Sequence, residues 1–216
     1  MVRFLILLFT LGITDIRLGA YGAFPAEVRA EHRKLQDKFE VRPDKFIRYL
    51  YPELLDTSRK AMATYLNVPT NEIVYVKSAT AAINTVLRNL FFSPQDMIIY
   101  FSTIFSACEK TIQSVMETTQ LKARKIQCVL PMSHDDIVAK FEQTVQQAKE
   151  EGFKVRIAVF DTIASVPGVR FPFERLTQIC HEQGVLSCID GAHGVGQIPI
   201  DLGKLNPDFF VSITHK

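Results

Sequence analysis

An alternation of two kinds of segment constrains the fold of this chain most. Six short apolar runs, EIVYV (72–76), MIIYF (97–101), KIQCVL (125–130), VRIAVFD (155–161), VLSCID (185–190) and DFFVSIT (208–214), are separated for the most part by amphipathic stretches such as SHDDIVAKFEQTVQQAKEEG and PFERLTQICHEQG. The runs are rich in β-branched and aromatic residues, and each of the quoted amphipathic stretches closes on Gly, a signal for a helix C-terminus. Strands that are apolar on both faces and alternate with helices belong to a sheet covered on both sides. The expected fold class is therefore α/β, a three-layer sandwich around a mostly parallel sheet. Upstream of the first run, Val28, Leu35 and Phe39 fall near helical spacing, and PDKFIRYL and PELLDTSRKAMATYL each open with Pro near the first turn. The chain thus divides into an apolar N-terminal segment (1–16), a helical segment (17–66) and a sheet-forming domain (67–216).

Composition excludes several classes of function. With 216 residues, of which 47% are hydrophobic and 22% charged, the chain can bury a substantial core, and no low-complexity block argues for disorder. The net charge of +2 comes from 25 basic and 23 acidic residues scattered along the chain, so no basic stripe asks for nucleic acid. Cys108, Cys128, Cys180 and Cys188 form no C-x-x-C pair, which fits buried thiols in a reducing compartment. The N-terminal MVRFLILLFTLGIT resembles a secretory signal but is shorter than the roughly 20 apolar residues that span a bilayer. A cytoplasmic, membrane-free protein is expected, with secretion and a mature N-terminus at Tyr21 as the alternative.

In an open α/β sheet the ligand crevice lies beyond the carboxyl ends of the strands. After EIVYV come Lys77, Ser78, Ala79 and Thr80 and then a helix, which offers free backbone N–H groups for a phosphate; Ser78 or Thr80 acting only as a helix cap is the plainer alternative. VLSCID delivers Asp190 to the same end of the sheet, followed by Gly191, Ala192 and His193, although an Asp there also serves as an ordinary turn residue. The last run ends at His215 and Lys216. A lysine carried by a buried strand into a crevice is costly unless it reacts, pairs or titrates. A phosphate cradle, an acid and a lysine together suit pyridoxal phosphate, whose aldehyde takes a Lys and whose ring nitrogen takes an Asp.

The segments RLGAYGAFPAEV, KSATAAINTVL, STIFSACEKTI, FDTIASVPGVRFPFERL, DGAHGVGQIPIDL and DFFVSITHK, spanning residues 17–216, resemble the class V aminotransferase family of pyridoxal-phosphate enzymes in sequence and order. The first of these segments, with the SVPG and DGAHG wording, resembles the isopenicillin N epimerase-like branch, which also holds fungal C–S lyases of the ergothioneine pathway acting on a cysteine sulfoxide conjugate. The resemblance implies fold type I, with an aspartate aminotransferase-like large domain, and a homodimer when full length. It makes Lys216 the Schiff-base lysine and Asp190 the partner of the ring nitrogen. Ala79 and Thr80 would hold the phosphate with His215, Phe105 would stack on the ring, and His193 would reach its phenolic oxygen. Thr162 stands where relatives often carry His or Asn near that oxygen, a departure that bears on the substrate side. The family continues past its lysine into a smaller C-terminal domain, so the resemblance also implies an incomplete sheet, a missing small domain and a chain unstable or inactive alone.

The expected activity of the full-length enzyme is α-proton removal from an amino acid or cysteine conjugate by Lys216, leading to C–S β-elimination or epimerisation. A catalytically silent fragment that serves as a binding or dimerisation module is a second expectation. A cysteine desulfurase-like enzyme is a third, although Cys108, in the helical SACEKTI, reads as structural.

Overall fold

A computed structural model describes residues 25–214; the apolar N-terminal segment and the two closing residues, His215 and Lys216, lie outside the described residues. Five strands form one sheet: β1 (Asp96–Phe101), β2 (Lys122–Ile126), β3 (Lys154–Asp161), β4 (Leu186–Asp190) and β5 (Phe209–Val211). Their order is β2-β1-β3-β4-β5, and every neighbouring pair is parallel. The chain leaves β1 for one edge, returns across it to β3, and then proceeds steadily to the other edge. The direction of travel therefore reverses between β1 and β3, the topological switch at which such sheets open a crevice.

Helices cover both faces, as the apolar strands require. Alternate residues of β1 and β3, Ile98, Tyr100, Ile157 and Val159, join Cys188 of β4 and Val211 of β5 beneath α3 (Ala79–Asn89) and α4 (Ser106–Thr118). The opposite set, Ile99, Phe101, Ala158, Phe160 and Ile189, packs beneath α5 (His134–Glu150) and α6 (Phe173–Gln183). On that second face Phe101, Phe141, Phe160 and Phe171 form an aromatic cluster with centroid separations of 5.3–6.5 Å. The two quoted amphipathic stretches become α5 and α6. Ser133 caps α5 by accepting from the Asp136 N–H at 3.1 Å, and Gly184 closes α6 with φ of 66°, a conformation that suits glycine.

The N-terminal helices α1 (Ala26–Val41) and α2 (Tyr51–Leu66) are joined by a short helical turn at Pro43–Lys45 and a wider turn at Phe46–Leu50. Pro43 and Pro52 sit in first turns, where a missing N–H costs nothing. Asn67 ends α2 in the left-handed conformation and donates from its side-chain amide to Asp201 at 2.8 Å, tying the helical segment to the turn before β5.

Two strand expectations need correction. EIVYV is not a strand: residues 70–72 form a 3-10 turn, the Arg59 guanidinium takes the Thr70 and Ile73 carbonyls at 2.8 Å each, and Val74, Tyr75 and Val76 face outward. Its composition favours a strand, but among the described residues no strand lies alongside it to complete a ladder. β2 begins at Lys122, earlier than its apolar run, and ends at Ile126. As an edge strand it tolerates Lys122, Arg124 and Lys125, while Val129 beyond it is exposed.

Candidate functional site

The carboxyl ends of β3 and β4 are the chemically richest place in the molecule. Asp161 and Asp190 each terminate a strand, are register partners across the β3–β4 ladder, and are 4% and 6% exposed. Register partners in a parallel pair point to the same face, and the alternation with Val159 and Cys188 assigns both carboxyls to the α3/α4 side. Asp190 accepts the Ala192 N–H at 3.0 Å, and the Cys108 thiol of α4 approaches its other oxygen at 4.0 Å.

Helices α3 and α4 bring their N-termini to this same end. The Asn84 amide donates to Thr111 at 2.8 Å and the Arg88 guanidinium to Ser114 at 3.0 Å, so the two helices advance together and are parallel. Because the first turn of α4 holds Cys108 against Asp190, the first turn of α3 also faces the carboxyl end of the sheet. Ala79 and Thr80 occupy that turn, half-buried, and Ser78 is its cap, accepting the Ala81 N–H at 3.1 Å. The N-terminus of an 11-residue helix with small residues in its first turn is suited to an anion. Phe105, which precedes α4, leaves its ring 47% exposed.

The segment after β4 is set by close packing. A Cβ on Gly191 would lie 2.2 Å from the Phe210 ring, so a side chain there would displace that ring from the sheet edge. The Gly191 N–H donates to the Val211 carbonyl at 2.6 Å, and the Ser212 hydroxyl donates to the Gly191 carbonyl at 2.9 Å. These bonds lock the β4 and β5 ends together, three residues before His215. His193 lies half-buried in the turn that follows. Thr162 is fully buried: its N–H and hydroxyl both donate to the Asp190 carbonyl, at 2.9 and 3.3 Å. Its side chain braces the end of β4 from behind instead of opening to the crevice.

Electrostatics at this end are unusual. Burial first, and then the neighbouring Asp190 carboxylate, push the Asp161 carboxyl well above the usual carboxylate range, against a smaller opposing pull from the Thr103 hydroxyl. Thr103 is close but outside hydrogen-bond geometry, since Thr103 Oγ1 and Asp161 Oδ2 are both buried without a hydrogen bond among the described residues. Burial, with Asp190 and then Asp161, pushes the Cys108 thiol up to about 12. Sequence reasoning missed Asp161, although VFD repeats the pattern of CID: an acid closing an apolar run. A hollow lined by Phe173, Glu174, Gln178, His181, Asp201 and Lys204 lies against α6, on the other face of the sheet.

An open parallel sheet with buried acids at its strand ends and helix N-termini beside them defines a ligand-binding α/β protein of the doubly wound kind. The chain belongs to the aminotransferase class-V family, whose model matches residues 50–216. Pyridoxal phosphate is the cofactor of that family. Among curated relatives, an L-cysteine desulfhydrase-like protein of Epichloe uncinata is 35% identical over 203 residues, covering 94% of this chain and 44% of its own length. The hercynylcysteine sulfoxide lyase of Schizosaccharomyces pombe is 26% identical, covering 94% of this chain and 50% of its own. The chain thus spans about half the length of the curated relatives it matches. Among solved structures, the cystine C-S lyase C-DES in complex with cysteine persulfide superposes with a TM-score of 0.80 at 18% identity, over 92% of this chain and 52% of that one. That likeness shows the fold, type I. Among the described residues no helix is long and apolar enough to cross a membrane.

Proposed function

We propose that this chain is the cofactor-binding part of a pyridoxal-phosphate C–S lyase acting on cysteine or a cysteine conjugate. The observation that carries the reading is the buried Asp190 carboxylate at the end of β4, laced to the strand that leads into Lys216. The residues present suit the cofactor. A carboxylate held by the Ala192 N–H matches a protonated ring nitrogen, the α3 N-terminus with Ala79 and Thr80 matches a phosphate, and the exposed Phe105 ring offers a stacking surface. His215 would add a contact to the phosphate, and His193 would meet the ring's phenolic oxygen. Thr162 would act through Asp190, by fixing the strand end that carries it.

When bound, the cofactor's protonated ring accepts the electron pair left at the substrate's α-carbon. Lys216 would hold the cofactor and, once released, take the α-proton on its amine; the pair left at the α-carbon would form a Cα=Cβ bond as the Cβ–S bond broke and sulfur left with its own electron pair. The relatives' names, an L-cysteine desulfhydrase-like protein and a hercynylcysteine sulfoxide lyase, favour this outcome over epimerisation. Cys108 is unsuited to the thiol-nucleophile step of a desulfurase route: it is 1% exposed, and its raised pKa keeps it protonated. A homodimer and a small amino-acid substrate complete the reading.

Borohydride reduction of the chain with pyridoxal phosphate, followed by peptide mass mapping, tests it. The expected result is one cofactor fixed on Lys216 and none on Lys216→Ala. Labelling elsewhere, or equal labelling of the variant, would overturn the reading. In an assay of sulfide and pyruvate release, Lys216→Ala should lose about 10²- to 10⁴-fold in rate.

A further inference from the structure

Asp161 has no role in the reading above, yet it is as deeply buried as Asp190 and directly beside it. Two carboxyls at the ends of adjacent strands, in register and on one face, sit about 5 Å apart at the backbone, set by the spacing of strands in a sheet. Two full negative charges at that spacing, out of water, repel strongly. Among the described residues, no cationic group faces Asp161 to relieve this. From β4 come Asp190 and Cys188, and from α4 Cys108; all three are acids or thiols, and both thiols titrate late because of burial and the Asp190 charge. From the β1–α4 loop comes the uncharged Thr103 hydroxyl. Asp161 makes no ion pair among the described residues, and its Oδ2 makes no hydrogen bond there. His215 and Lys216, which follow β5, lie outside the described residues.

We propose that Asp161 is a positioning residue that keeps a proton beside Asp190, so that the pair presents one negative charge to the crevice and concentrates it on Asp190. The use of that charge, to match a single protonated ring nitrogen, rests on the pyridoxal phosphate reading; the protonation of Asp161 does not. Asp161 closes the strand at the topological switch, and a neutral carboxyl there can donate from its otherwise unpartnered oxygen toward the nearby Thr103 hydroxyl. A charged one could only repel its neighbour.

The test begins without cofactor, by denaturant unfolding of the wild-type chain and Asp161→Asn across pH. A carboxyl whose folded pKa lies above its unfolded value of about 3.9 stabilises fully below that value, and the stabilisation is lost as pH rises through the folded pKa. The unfolding constant of the wild type should therefore climb relative to Asp161→Asn by up to about tenfold per pH unit above pH 4, then level off. A ratio that stays flat, or moves the other way, overturns the proposal. If Asp161→Asn does not fold, carbon-13 NMR of the aspartate-labelled wild type gives the answer directly. One carboxyl of the pair must stay protonated well past the others, and ordinary titration of every aspartate sinks the idea. A second arm adds pyridoxal phosphate and follows its absorption: Asp190→Asn should weaken binding by tenfold or more, whereas Asp161→Asn, which mimics the protonated carboxyl, should hold affinity within about threefold. Absence of binding by the wild type counts against the functional reading alone, because the unfolding arm still decides the state of Asp161.

Discussion

The sheet and the N-terminal helices treat apolar side chains in opposite ways. Every residue of β1 is buried, and so are Ile137, Val138, Phe141 and Val145 of α5 above it. In α1 and the turns up to Leu50 no described residue is buried, and Val28, Val41, Ile47 and Tyr49 face outward. Both α5 and α1 are amphipathic by sequence, so pattern alone does not separate a helix that closes a core from one that rests on the outside. Burial follows from what the helix meets: α5 meets a sheet face, whereas α1 meets chiefly the two turns that follow it.

Three substitutions put that contrast at risk. Phe141→Ala removes a fully buried ring from the aromatic cluster and should destabilise by about 3–5 kcal/mol in denaturant titration. A cost near zero would mean that the second face is not a packed core. Gly191→Ala should cost about 1–3 kcal/mol, because its methyl enters the Phe210 ring, and trimming that ring with Phe210→Leu in the same chain should recover most of the loss. No recovery would break the assignment of strain to that contact. Tyr49→Ser, at an exposed position, should stay within about 0.5 kcal/mol. A larger loss would show that the outer helices are covered in solution and that the contrast belongs to the isolated chain.

Much of the architecture was legible because buried parallel strands announce themselves as continuous apolar runs. VLSCID and DFFVSIT contain their strands, and the strands of MIIYF and VRIAVFD each begin one residue earlier than the run, at Asp96 and Lys154. EIVYV misled because β-propensity reports how a segment fits a neighbouring strand, and Arg59 draws this one back onto α2 instead. β2 began early because edge position permits charge that an interior strand would exclude. At the site, Asp190 stood out through its position at a strand end; the α3 turn was placed after EIVYV, which is not a strand, and is marked instead by small residues opening a helix. Asp161 did not, because its significance is pairwise: only the register of β3 against β4 reveals that two acids lie side by side. Thr162 was legible as a neighbour of the crevice, but not as a residue whose hydroxyl turns back to hold the Asp190 carbonyl.

Among the described residues, the two edges of the sheet are unlike. β2 carries Lys122, Arg124 and Lys125, with Arg124 paired to Glu151 and Lys125 to Glu109, whereas β5 is Phe209, Phe210 and Val211. A fringe of charge discourages another molecule's backbone from zipping onto β2, while three apolar residues put up no such barrier on β5. Concentrated preparations of this polypeptide should therefore self-associate with polarity, through one side of the sheet, and a lysine placed at an outward position of β5 would be the first remedy to try for keeping it in solution.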